Sequence, residues 1–222
     1  MREAYPAAAA AGGQAIVRVT CRVTGQQTVW NTARSLKPFG FGGIGREERE
    51  EREAALLRGL EVPTATCDFC NWESRTAEDT FGRFENAGAV TASNLFKLAG
   101  GHGMVIFKRC HDPLTFALRD LEDVLELSAQ WFEAAAREGP SFPSHFFLAW
   151  NCLPRAGASQ YHAHVQLFAL ERPLPGAALF DGAERYRSEH GADYFEDVRE
   201  AAENLGLLHR FGDGAAAFPA LA

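Results

Sequence analysis

Apolar and polar positions alternate strictly over residues 161–170. Tyr161, Ala163, Val165, Leu167 and Ala169 fall on one side, His162, His164, Gln166 and Phe168 on the other, which is the period of a strand. Residues 15–24, AIVRVTCRVT, alternate well enough for another strand ended by Gly25. FGRFENAGAVT (81–91), GMVIFKR (103–109) and HFFLAWN (145–151) predict three more. From Leu118 to Glu138 the period changes. Leu121, Leu125, Ser128, Phe132 and Ala135 recur at spacings of three and four, predicting an amphipathic helix closed by Gly139-Pro140 whose stripe is core. GREEREEREAALLRGL (45–60) predicts a helix with a solvated, charged face, and WNTARSLKPFGFGG before it reads as a loop. After Pro175 one or two helices are expected, the better marked being DYFEDVREAAENLG with Gly206 as its stop. The tail FGDGAAAFPALA predicts nothing definite. Strands and helices without a regular βαβ alternation give an α+β class, an antiparallel sheet with packed helices.

The length of 222 residues fits one large domain or two small ones; we read residues 1–14 as a disordered lead-in and 15–222 as the domain. At 46% hydrophobic and 11% aromatic the chain can build a real core. A formal charge of −7 argues against nucleic acid or an anionic membrane as partner, while leaving room for a local basic pocket around a phosphate. No run of about 18 apolar residues predicts a membrane span. The N-terminus lacks the basic start and apolar stretch of a secretory signal, and Glu3 with a single Arg2 makes it a poor organelle-targeting segment, so a cytoplasmic protein is expected. Five cysteines, an odd number, argue against a disulfide framework; Cys21, Cys110 and Cys152 read as ordinary buried thiols.

The candidate chemistry lies in AGASQYHAHVQ. Period-two spacing sets His162, His164 and Gln166 on one face, roughly 7 Å apart step to step. Either both histidines ligate a catalytic metal, or one is a nucleophile. A neutral imidazole can attack phosphorus if its other ring nitrogen is held by an acceptor and donors meet the phosphoryl oxygens. Gln166, Ser159 and the amides of the AGAS turn can supply such donors. The pair Cys67-Asp68-Phe69-Cys70 is open to three readings: a redox pair, two core thiols, or half of a metal site. A closed zinc site needs four ligands, and Cys67, Cys70, His111 and His162 would form a Cys2His2 set drawn from three segments. His164 is then left as the nucleophile. GGHG (100–103) is no phosphate loop, because the lysine and following helix are absent.

The stretch from Asn151, NCLPRAGASQYHAHVQ, resembles the Asn, small-residue turn, Ser and H-x-H-x-Q signature of the galactose-1-phosphate uridylyltransferase branch of the histidine-triad superfamily. That branch includes the diadenosine-tetraphosphate phosphorylases and ADP-glucose phosphorylase-like proteins. FENAGAVTASNLF and GHGMVIFKRCHDPL are also similar to family segments, so the resemblance runs from Cys67 to Leu170. It implies a histidine-triad-like α+β fold, His164 as the residue that takes the nucleotidyl group, and Gln166 as a phosphate contact. It implies zinc on Cys67, Cys70, His111 and His162, and substrate contacts at Asn151, Ser159 and Asn86. Arg34 and Lys37 fall near an early phosphate-binding basic pair of the family. The implied reaction moves a nucleoside monophosphate group from a nucleotide sugar or dinucleoside polyphosphate to a sugar phosphate or inorganic phosphate. The alternative is a zinc-stabilised, catalytically silent nucleotide-binding module. Gln166 stands where histidine-triad hydrolases have a third histidine, which favours transfer over hydrolysis. Ala163 stands where the uridylyltransferases proper have proline. Family members carry two tandem halves, of which this chain corresponds to the first, and they are commonly dimers, so a homodimer is the assembly the resemblance suggests.

Overall fold

The alternation over 161–170 becomes strand pairing from His164 onward. In the computed structural model the main sheet has four antiparallel strands in the order β3 (Ala89–Ser93), β4 (Gly101–Phe107), β6 (His164–Leu170), β5 (His145–Ala149). A separate two-stranded ribbon pairs β1 (Ile16–Thr20) with β2 (Gln27–Asn31), and a 3-10 turn, Thr32–Leu36, follows it. The structure describes residues 14–21, 27–36, 47, 50–51, 54, 67–138, 145–153, 156–170, 177–212 and 214–218. The helix expected over 45–60 lies largely outside them, although Glu47, Glu50, Glu51 and Ala54 are helical. The lead-in before Gln14 and the Gly139-Pro140 stop also lie outside the described residues.

The described residues form two compact units, one within residues 14–170 and the other within residues 177–218. In the first unit, one sheet face is apolar and carries Ala89, Val105, Phe107, Val165, Leu167 and Ala169. It is covered by Val124, Leu127, Trp131 and Ala135 of α2 (Leu118–Arg137); α1 is the short helix Trp72–Arg75. The helix has the expected span, and of the expected stripe Ser128 and Ala135 are buried while Leu121 and Phe132 pack partly buried against the core. Val124, Leu127, Ser128, Trp131 and Ala135 face the sheet, whereas Leu125 is exposed. Leu125 stands about 100° round the helix from Val124, so the two cannot share one narrow face. Ser128 is tolerated in the stripe because its hydroxyl donates to Val124 O at 2.7 Å.

The strand expected over 81–91 is shorter. Gly82 has φ +91°, and the Asn86 side-chain oxygen Oδ1 accepts from the Gly88 and Ala89 amides at 3.1 and 2.8 Å. These turn devices hold 81–88 in bends and isolated bridges until Ala89. The loop expected from Trp30 instead begins inside β2 and the 3-10 turn.

In the second unit the expected helices are α3 (Ala177–His190) and α4 (Tyr194–Asn204). The Asp193 carboxylate caps α4 by accepting from the Phe195 and Glu196 amides. The helix ends as expected at Gly206, φ +69°, where the Leu207 amide reaches back to Ala202 O at 2.9 Å. The tail holds a hairpin that its composition did not announce, β7 (His209–Phe211) with β8 (Ala215–Ala217). Among the described residues no helix is long and apolar enough to cross a membrane.

Candidate active site and metal centre

The sheet face turned away from α2 carries the polar chemistry. Register sets His164 opposite Ile106, Gln166 opposite Met104 and Phe168 opposite His102. Because side chains alternate, His102, Met104 and Ile106 share this face with His164, Gln166 and Phe168. The C-x-x-C segment lies over part of it, packing Cys67 and Phe69 on Val90, Ala92, Met104 and Ile106.

Cys67, Cys70, His111 and His162 meet here. Their ligand atoms all lie within 4.8 Å of one another. Individual separations are 3.5 Å (Cys67 Sγ to His162 Nδ1), 3.4 Å (Cys70 Sγ to His162 Nδ1), 3.1 Å (Cys70 Sγ to His111 Nδ1) and 3.2 Å (His111 Nδ1 to His162 Nδ1). Metal–sulfur bonds of about 2.3 Å and metal–nitrogen bonds of about 2.1 Å at tetrahedral angles require spacings of about 3.3–3.8 Å. The four separations given lie in or just below that range, so these side chains form a cluster that could hold a metal ion.

The surrounding hydrogen bonds agree. His162 Nε2 lies 2.6 Å from Phe107 O, a carbonyl that can only accept, so Nε2 carries the proton and Nδ1 turns its lone pair to the cluster. Burial lowers the His162 pKa to about 4, with the nearby His111 and His164 adding to the effect against the Phe107 bond. Burial also lowers that of His111. Cys70 reaches the surface, yet desolvation of its thiol, then the neighbouring Cys67, pushes its pKa up to about 12. Two crowded sulfurs without a cation resist ionisation, and a bound dication reverses that balance.

His164 is buried next to this cluster. Its Nδ1 lies 2.8 Å from His162 O, so Nδ1 is the protonated nitrogen and Nε2 keeps the lone pair. Phe69 stands edge-on to both imidazoles, with ring centroids 5.9 Å from His162 and 5.0 Å from His164. Gln166 Oε1 accepts from His102 Nε2 at 2.8 Å and from Asn94 Nδ2 at 2.9 Å.

The turn before β6 folds around Leu153, whose carbonyl accepts from the amides of Ala156 and Ala158 at 3.1 and 3.2 Å. Leu153 has φ 69°, a conformation few leucines adopt. Asn151 Nδ2 lies beside Gly157, and Ser159 sits half-buried three residues before His162. Asn86 is placed elsewhere. Its amide donates to Asp123 O and Glu126 Oε2 of α2 and its oxygen closes its own turn, so it ties the β3 approach to the helix. Arg34 donates to Phe96 O at 2.8 Å, and Lys37 lies outside the described residues. His102 and Asn94 were not singled out by the sequence. The available signal was a polar residue, His102, in phase with Met104 and Ile106 on a strand that otherwise reads as apolar.

No protein-family model and no curated protein sequence matches the chain. Solved structures do. A uridylyltransferase structure superposes with TM-score 0.59 at 14% identity, over 92% of this chain and 61% of that one. A HIT family protein from Bacillus anthracis str. 'Ames Ancestor' gives TM-score 0.42 at 17% identity, over 64% of this chain and 95% of that one. A histidine triad protein from Clostridium difficile gives 0.39 at 19%, over 49% and 91%. The chain thus has the α+β fold expected of it, an antiparallel sheet with packed helices, and it shares its fold with that uridylyltransferase structure.

Proposed function

We propose that the chain is a zinc-containing nucleotidyltransferase or nucleotide phosphorylase that works through a covalent nucleotidyl-histidine on His164. The observation that carries this reading is the 2.8 Å bond from His164 Nδ1–H to His162 O, which fixes the tautomer and leaves Nε2 as the nucleophilic nitrogen. Nε2 attacks the α-phosphorus of a nucleotide sugar or dinucleoside polyphosphate. An N–P bond forms, and the P–O bond to the sugar phosphate or nucleotide breaks with its electron pair on the departing oxygen. A sugar phosphate or inorganic phosphate then attacks the same phosphorus and returns the electron pair to Nε2. The Gln166 amide and the backbone amides of the turn around Ser159 donate to the phosphoryl oxygens as charge develops, and Asn151 and Ser159 contact the nucleotide. Cys67, Cys70, His111 and His162 would hold zinc in a structural part, tying the C-x-x-C loop to the segment after β4 and to the entrance of β6, where His164 begins the strand.

The test is intact-mass analysis after incubation with a panel of nucleotide sugars and dinucleoside polyphosphates, without acceptor. One nucleotidyl group should add to the chain and be discharged by the matching acceptor, and His164→Ala should abolish it. An adduct that survives His164→Ala defeats the assignment. Bound zinc with weak nucleotide binding and no adduct would leave a metal-stapled nucleotide-binding module instead.

A further inference from the structure

A glutamine amide can face a phosphate with either end, and only its partners decide which. At Gln166 that decision traces back to two backbone amides. Leu98 N donates to His102 Nδ1 at 3.0 Å, so Nδ1 is an acceptor and the imidazole proton sits on Nε2. Phe96 N donates to Asn94 Oδ1 at 2.9 Å, so the other end of that side chain, Nδ2, is a donor. His102 Nε2 and Asn94 Nδ2 lie 3.2 Å apart, and as two donors they do not bond each other. Both converge on Gln166 Oε1, at 2.8 and 2.9 Å. Turning over either amide, or moving the His102 proton to Nδ1, would set a donor against a donor or an acceptor against an acceptor, and a backbone N–H cannot change its sign.

We propose that His102 and Asn94 are positioning residues that hold Gln166 with its carbonyl toward them and its NH2 toward the phosphoryl group. The proposal rests on the reading of His164 and Gln166 above. The sheet register makes it possible: His102 pairs with Phe168, so Gln166 is its diagonal neighbour across the strands, within reach of long side chains. The frame is rigid. His102 is 1% and Asn94 6% exposed, and the His102 imidazole stacks on Phe168 with centroids 4.3 Å apart. The Asn94 amide also donates to His102 O at 2.9 Å, locking the end of β3 to β4 beside the clamp. Two donors fill both lone pairs of Oε1, so the amide meets substrate through its NH2. An amide turned the other way would aim a carbonyl oxygen at phosphoryl oxygens and lose a donor where negative charge grows.

The test uses Asn94→Asp, which keeps the shape and the oxygen that accepts from Phe96 N but replaces the NH2 by a second oxygen. That oxygen accepts from His102 Nε2–H and attracts the Gln166 NH2, turning the glutamine over. His102→Phe keeps the stacked ring and deletes the donor. In single-turnover formation of the nucleotidyl adduct, each should slow the step by about 10²-fold, the effect of removing one oxyanion donor, with the nucleotide KM little changed. In a Gln166→Ala background neither should slow it further, because their effect passes through the glutamine. Should Asn94→Asp not fold, His102→Phe decides alone. Equal losses in the wild-type and Gln166→Ala backgrounds would overturn the clamp. So would a full rate in either folded variant while Gln166→Ala is slow. A full rate in Gln166→Ala would overturn the reading of Gln166 itself, and loss of the adduct only in His164→Ala would leave the nucleophile standing.

Discussion

At His162 a backbone acceptor settles which ring nitrogen is free to bind, and burial settles the pH response. Phe107 O takes the Nε2 proton, which leaves Nδ1 for the metal, and burial holds the folded imidazole near a pKa of about 4 against 6.5 in the unfolded chain. The fold therefore favours the neutral ring. Above pH 6.5 neither state binds the proton and the stability is complete; between 6.5 and about 4 the unfolded chain takes a proton that the folded chain refuses. Each pH unit in that window removes about 1.4 kcal/mol. His111, lowered by burial, acts in the same direction. Urea unfolding of metal-stripped protein should show this acid limb, and His162→Ala should flatten it by one proton's slope. Parallel limbs in the two proteins would assign the effect to other groups.

Between elements, one contact that admits no extra atom is where α2 lies on β4. A Cβ built on Gly103 would stand 2.6 Å from Cε2 and Nε1 of the Trp131 indole. That indole is 1% exposed and anchored through Nε1 to Asp79 Oδ2 at 2.7 Å, so it cannot retreat cheaply. Gly103→Ala should destabilise the first unit by about 1–3 kcal/mol, an overpacking cost, as measured by chemical denaturation. Gly100→Ala, where nothing lies within 4 Å of the added carbon, is the matched control and should fall well short of that. The same elements show what was legible beforehand. α2 and β6 announce themselves by local period, and Cys67, Cys70, His111 and His162 could be grouped by counting ligands. On α2 the expected stripe holds at Leu121, Ser128, Phe132 and Ala135 and leaves out Val124, Leu127 and Trp131, because both sets satisfy a helical period; only the sheet decides how wide the buried face is and leaves Leu125 outside it. β2 and the β7–β8 hairpin depend on partners rather than on period. The roles of His102 and Asn94 depend on strand register, which no single segment encodes. Asn86, similar to a family segment in its local letters, is bound to α2 because the bends over 81–88 bring it to the helix.

Across the whole molecule the candidate chemistry belongs to one unit. The four candidate metal ligands, His164, Gln166 and the proposed clamp residues fall within residues 27–172. The ligands join segments up to 95 positions apart, so a bound ion closes long loops that the folded state must otherwise order through packing alone. Metal removal should therefore act selectively. A thousand-fold excess of free metal over its Kd contributes about 4 kcal/mol to the state that binds it, and a chelator takes that away. Hydrogen exchange should then rise at 67–72, at the end of β4 and at the entrance to β6, while α3 and α4 of the second unit keep their protection. Zinc should restore the protection and magnesium should not, because thiolate ligands favour the softer ion over one that demands oxygen. Loss spread evenly over both units, or no loss at 67–72, would mean that the four side chains are close neighbours without being a metal staple.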